Sequence, residues 1–280
     1  MANLVETVES EIISALESDQ LVLPTLPEVA LQIREVAQSE DSSVADLAGV
    51  IARDAAISAR IIKVCNSPLL RAPQPVENLH MAINRLGMSY SADLAMGLAM
   101  QHMFQATSDL VDSRMREVWA QSTDIAGICH MLAQSYTRLS PAQAMLAGLT
   151  HKIGVLPILR FAEENDHLLS DGFTLDEIIE KLHPKLGQLI LKAWDFSDEL
   201  CAVPMQYLDF ERQSPQADLT DIVTVAHLQN LTGTSHPFTK LDWSTIPAFT
   251  QLGINTQQDE DEEEEEDLSA NMQAALDMLS

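Results

Sequence analysis

The stretch that most constrains this 280-residue chain is Ser140–Leu156, SPAQAMLAGLTHKIGVL. It reads as a buried helix. Ser140 is an N-cap residue type, Pro141 suits the first helical position, and Gln143 completes a capping box. Ala144, Ala147 and Gly148 share a face with His151, at helical spacings of seven, four and three. A face of such small side chains lets a second helix approach closely, so His151 is expected at the centre of the fold. The next residue is Lys152, where a metal-binding helix would offer a carboxylate.

Helical punctuation recurs along the chain. Residues 3–18 read as an amphipathic helix with Leu4, Val8, Ile12 and Leu16 on one face. Thr25 and Glu28 frame Pro27 as a capping box, Ser43 is followed by Asp46, Asp54 opens DAAISARIIKVC, and Asn78 and Gly87 bracket LHMAINRL. A polar segment at 106–113 is the expected seam between two halves, and a long helix is expected over roughly 114–138. Thr174 and Glu177 suggest a further capping box, with helical pieces 175–182 and 184–195 divided at His183-Pro184. Ser197 and Ser214-Pro215 mark two more starts. No strand-length alternation is matched by turn chemistry. Glycine, at 10 residues, and aromatics, at 5%, are scarce beside Ala, Leu, Met and Gln. The expected fold class is all-α, with about thirteen helices.

Charge bounds the partners. The formal net charge is −26; the run Asp259–Asp267 supplies nine of those negatives and leaves −17 on the rest. Such a surface repels a phosphate backbone and an anionic membrane, so neither direct nucleic-acid binding nor membrane association is expected. Cys65, Cys129 and Cys201 are widely spaced in apolar helical contexts, which fits buried thiols in a reducing cytoplasm. The N-terminus lacks a basic region and a long apolar core, and no uninterrupted apolar run has transmembrane length. After the acidic run, expected to be a mobile linker, LSANMQAALDMLS sets Leu268, Met272, Leu276 and Leu279 along one face. That helix could dock on the body or engage a partner.

The eight histidines form no HExxH or closely spaced pair, and no P-loop, GxGxxG or GxSxG occurs. Three stretches together resemble the HDOD family of bacterial signalling proteins, relatives of the HD-domain phosphohydrolases. They are LPTLPEVA at Leu23–Ala30, VIARDAAISARIIKVCNSPLL at Val50–Leu70, and AINRLG at Ala82–Gly87 followed by AGLTHKIG at Ala147–Gly154. Trp119, the His183/Gly187 pair and Trp194 fall in matching order. The resemblance implies an N-terminal helical half (20–110) packed on an HD-like helical core (111–254). These would be flanked by an N-terminal helix (1–20) and by the tail, 255–280. Asn66 and Ser67, which end the most family-like helix, could satisfy its last carbonyls or make a polar contact between the halves.

Catalytic HD proteins hold a divalent metal with a first His, a His-Asp doublet, further histidines and a final Asp. Carried over position by position, the resemblance puts Gln121 at the first His and His151-Lys152 at the doublet. It keeps His183, replaces a His-His pair by Gln206-Tyr207, and places Ala226-His227 at the final Asp. A protonated lysine offers donors and no acceptor, and its charge repels a cation. No cofactor is therefore expected. If a metal binds, His151, His183 and His227 are its candidate ligands. The resulting expectation is a non-catalytic, cytoplasmic HDOD signalling or scaffolding module that acts through protein–protein contacts of its surface and tail and carries a degenerate HD metal site. The alternatives are an HD-type metal-dependent phosphohydrolase acting on a phosphoester or nucleotide, and a binding domain for a small anion near Lys152.

Overall fold

The computed structural model describes residues 2–18, 22–70, 74–169, 172–254 and 262–279. Among these residues fifteen α-helices and four short 3-10 turns succeed one another, and no strand forms. The first six helices are α1 (Ala2–Glu17), α2 (Glu28–Gln38), α3 (Val44–Ile51), α4 (Ala55–Cys65), α5 (Leu79–Leu86) and α6 (Met88–Ala99). The long α7 (Asp109–Tyr136) leads to α8 (Pro141–Thr150), α9 (Val155–Glu163) and α10 (Asp166–Leu169). The chain continues with α11 (Gly172–Ala193), α12 (Asp198–Gln206), α13 (Leu219–Asn230), α14 (Pro247–Leu252) and α15 (Glu262–Leu279).

Local chemistry sets many boundaries. Ser43 and Asp46 form a reciprocal capping box, Asp54 accepts from the amides of Ala56 and Ile57, and the Asn78 side chain accepts from Met81. Gly87 closes α5 at φ 88°, a value that favours glycine. Asn66 exchanges hydrogen bonds with the Val76 backbone and donates to the Ile62 carbonyl, so it pins the loop after its own helix.

Several expected boundaries are corrected. The Ser140–Leu156 stretch is not one helix: α8 stops at Thr150, residues 151–154 turn, and α9 starts at Val155. The turn brings Gly154 against α11. A Cβ there would lie 2.9 Å from the His183 carbonyl carbon and closer still to its oxygen and to the Gly187 nitrogen. Pro157 then falls in the first turn of α9, where its missing N–H is no loss. Ser140 does cap α8, accepting from the Gln143 amide, but the Gln143 side chain completes no box. Thr25 does not cap α2, whose start at Pro27 has no side-chain cap. Thr174 lies inside α11 rather than before it, and α11 runs unbroken through Pro184. Continuity there keeps Ile178, Leu182, Leu186 and Ile190 on one buried face, which outweighs the one backbone bond that proline removes. Asp218, not Ser214, caps α13, in a capping box with Asp221. The long helix begins at Asp109, and the acidic run is helical from Glu262 onward rather than a linker.

The core is organised around α7 and α8. Gly148 of α8 meets α7 so closely that a Cβ would sit 2.6 Å from Ala126 Cα. On the other side of α8, Gly97 of α6 faces Leu149. The small-residue face read from the sequence is this double contact. The α8–α9 stretch Pro141–Glu163 has the length and apolarity of a membrane span, with mean hydropathy 1.2, but 89% of its apolar window is buried inside this fold. Helix α1 packs against α11, where Lys181 pairs with Glu9 at 2.5 Å. The terminal α15 lies on α7, with Ala275, Met278 and Leu279 buried.

Candidate functional site

The α8–α9 turn delivers His151 to the middle of the C-terminal helices. His151 is fully buried, and its Nδ1 lies 2.6 Å from the Gly148 carbonyl. A carbonyl only accepts, so Nδ1 carries the proton and Nε2 presents its lone pair inward. That Nε2 is buried without a partner among the described residues. His183 projects from α11 and His227 from α13, and both are buried. Their Nδ1 atoms are likewise unpartnered.

Tyr207, at the C-terminal end of α12, lies among the three imidazoles. Its ring centroid is 5.0 Å from that of His151, 5.9 Å from His183 and 5.3 Å from His227. The ring stacks on His183 and meets the other two edge-on. Its hydroxyl is 3.2 Å from His183 Nε2, and its backbone carbonyl accepts from Thr224 of α13. His151 and His227 contact each other at 6.3 Å between centroids. Phe238 closes the cluster over His227.

Electrostatics keep this cluster neutral. His183 and His227 are each pushed down to about 3, by burial first and then by the Lys152 charge. His151 is held well below its ordinary value by burial, Lys152 and its histidine neighbours. Burial raises Tyr207, with Glu180 adding to the effect. Lys152 itself is half-buried, and its Nζ donates to Gln121 Oε1 at 3.3 Å. Burial lowers Lys152, while the exposed Glu180 carboxylate acts to raise it.

The structure thus brings together six of the seven residues singled out from the sequence. Four form the buried cluster, and Lys152 with Gln121 stands beside it. Gln206 is separate: its Oε1 accepts from Arg212 at 2.9 Å. Arg212 also bonds Asp221 and pairs with Asp218, while Ser214 donates to Asp221 at 2.7 Å. This network satisfies a carboxylate only 2% exposed and locks the start of α13. Glu180 and Phe238 were not singled out. Glu180 sits three residues before His183 on α11, a helical spacing that could have flagged it. Nothing local marks Phe238.

Among the described residues no group of three His, Cys, Asp or Glu side chains is arranged to hold a metal ion. The HDOD domain model matches residues 23–207, most of the chain. The chain belongs to the HDOD family. Over the full length of both chains it is similar, at 29% identity and TM-score 0.86, to a Shewanella amazonensis SB2B protein named "Putative metal-dependent phosphohydrolase". An HDOD domain protein with unknown function from Geobacter sulfurreducens shares the fold at 22% identity and TM-score 0.63, over 98% of this chain and 99% of that one. A Marinobacter aquaeolei VT8 protein named "Putative signal transduction protein" shares it at 21% identity and TM-score 0.56, over 93% of this chain and 60% of that one. No curated protein matches.

Proposed function

We propose that this HDOD protein works without a metal-dependent reaction, as a signalling or scaffolding module whose output is contact with protein partners. The observation that carries this reading is the position of Tyr207. Zinc ligation needs three imidazole nitrogens within about 2.1 Å of one point. Here the tyrosine ring packs against all three histidines, and its hydroxyl engages His183 Nε2, the nitrogen a metal would need. Lys152 adds a positive charge where HD enzymes carry the shared aspartate, and Gln121 binds that lysine rather than an ion. These residues do not fit a divalent metal. The acidic charge points the output towards proteins rather than phosphate-bearing partners, and the thiols suit a cytoplasmic setting.

A second reading, an HD-type phosphohydrolase, is favoured by the name of the Shewanella neighbour at 29% identity. Elemental analysis of the purified full chain, with turnover assays on phosphomonoester, phosphodiester and nucleotide substrates in added Mn, Fe or Zn, separates the two. The proposal expects substoichiometric metal and no turnover. One metal per chain, lost in His151→Ala and His183→Ala, would establish the second reading instead. A small anion at Lys152 is the third reading, and calorimetry with phosphate and nucleotides tests it.

A further inference from the structure

A cavity of about 280 Å3 opens between the N-terminal helices and the C-terminal ones, away from the histidine cluster. Ile33 and Met96, from α2 and α6, form one wall; Leu146 and Leu200, from α8 and α12, form the facing wall. Phe196 and Leu219 extend the apolar lining. Polar residues supply about half of the lining, and Asp93 and Asp195 are its carboxylates. Asp93 of α6 lines the cavity and makes no hydrogen bond or ion pair among the described residues. Asp195 stands exposed at the rim, in the left-handed region at φ 57°. The one basic lining residue, Arg34, spends a guanidinium N–H on the Trp194 carbonyl.

We propose that this cavity binds a small organic cation with an apolar body, its ammonium seated on the Asp93 carboxylate. Asp93 is half-buried, and a carboxylate so placed without a partner carries a desolvation cost that a charged donor relieves. Burial alone pushes Asp93 up to about 6, so no protein cation already compensates it. The cavity volume lies at the lower edge of the small-molecule range, about 300 Å3 and upward, and its mixed lining sets an apolar wall (Ile33, Met96, Leu146, Leu200) beside the Asp93 carboxylate. An anionic ligand would meet two carboxylates and one engaged arginine. A bound cation would bridge α6 to α8 and α12, so occupancy would hold the two sets of helices in one relative position. The proposal is independent of whether the histidine cluster holds a metal.

The test uses three probes of nearly equal size: phenethylamine, 2-phenylethanol and phenylacetate. Each is titrated into the full-length chain at pH 7.5 by calorimetry or ligand-observed NMR. The amine should bind at least about tenfold tighter than the alcohol, with phenylacetate weakest. Asp93→Asn should bring amine and alcohol to within about twofold of each other. Its melting temperature should equal or exceed that of the parent, because the substitution removes a half-buried unpaired charge. Ala37→Trp, at an exposed rim position, should plug the cavity and abolish binding without touching the core. The proposal is overturned by no binding of any probe at millimolar concentration, or by phenylacetate binding best. An amine preference that survives Asp93→Asn, or binding unchanged in Ala37→Trp, would also overturn it.

Discussion

Gly127 offers the sharpest test of how the terminal helix is attached. It lies on α7 where α15 crosses, and a Cβ placed on it would stand 2.7 Å from the Ala275 carbonyl carbon and nearer still to the oxygen. Ordinary contact begins at 3.4 Å, so Gly127→Ala must drive the two backbones apart by about 0.7 Å or more. Neither side can yield by rotating a side chain, because both atoms in conflict belong to backbone. Overpacking of this kind costs about 1–3 kcal/mol. The shift also strains the hydrogen bond from Arg60 to the Leu279 carbonyl, at 3.0 Å, and loosens the burial of Met278 and Leu279. The alanine's better helix propensity, about 0.5–1 kcal/mol, opposes the loss without cancelling it.

Urea unfolding of the full chain followed by far-UV circular dichroism measures the net change, and hydrogen exchange over 262–279 reports whether α15 has lifted. The matched control is Gly49→Ala in α3, where nothing lies within 4 Å of the new Cβ. There the propensity gain should appear alone, stabilising the chain by about 0.5–1 kcal/mol. A Gly127→Ala protein with the same midpoint shift as Gly49→Ala, and unchanged exchange in α15, would refute the docking argument.

Gly154→Ala should destabilise the chain by about 3 kcal/mol in the same urea assay, since its Cβ meets the backbone of His183 and Gly187 and cannot be accommodated by a rotamer change; an unchanged midpoint would sink that claim. Acid should weaken the fold from pH 6.5 downward. His183 and His227 are held near 3 in the folded chain and return to about 6.5 when unfolded, so the unfolded state binds more protons between those values and stability falls by about 1.4 kcal/mol per pH unit for each. Asp93, pushed up to about 6, opposes with a single proton; equal urea midpoints at pH 7.5 and 5.0 would contradict the burial of the two imidazoles. Lys152→Asp, which creates a His-Asp doublet, should still purify without stoichiometric metal, because Tyr207 stays packed against all three histidines; elemental analysis finding one metal per chain would show that the lysine charge alone had kept it out.

Helix starts with a local signature were legible in the sequence. Ser43 with Asp46, Asp54, Asn78 and Ser197 each act within three residues of themselves, and each caps as read. Misreadings arose where a distant contact overruled the local one. Pro184 looked like a helix break, but the buried face of α11 runs through it. Ser214 looked like a cap, but its hydroxyl is held by Asp221. The helix through His151 was broken by Gly154 seeking the His183 backbone, a contact across about thirty positions that no local pattern encodes. The family pattern placed His151, His183, Tyr207 and His227 in one site, and the fold brings them together. That pattern could not show that Gln206 turns away to Arg212, nor that the tyrosine beside it points to the centre.

On the proposed reading, Lys152 and Tyr207 oppose a metal among the three histidines by different physics, and their weights differ. Lys152 acts through charge from a half-buried place, with Glu180 near enough to act on it and Gln121 holding its Nζ. A charge so placed is screened, and its repulsion weakens with every water that reaches it. Tyr207 acts through volume. Its ring is 1% exposed, contacts each histidine, and bonds His183, so on the proposed reading an ion would have to displace it from a close-packed core. Steric exclusion of that kind is independent of salt and of pH across the physiological range. The ring also does what an ion would do mechanically: it touches the α8–α9 turn, α11 and α13 at once, and so ties those helices together.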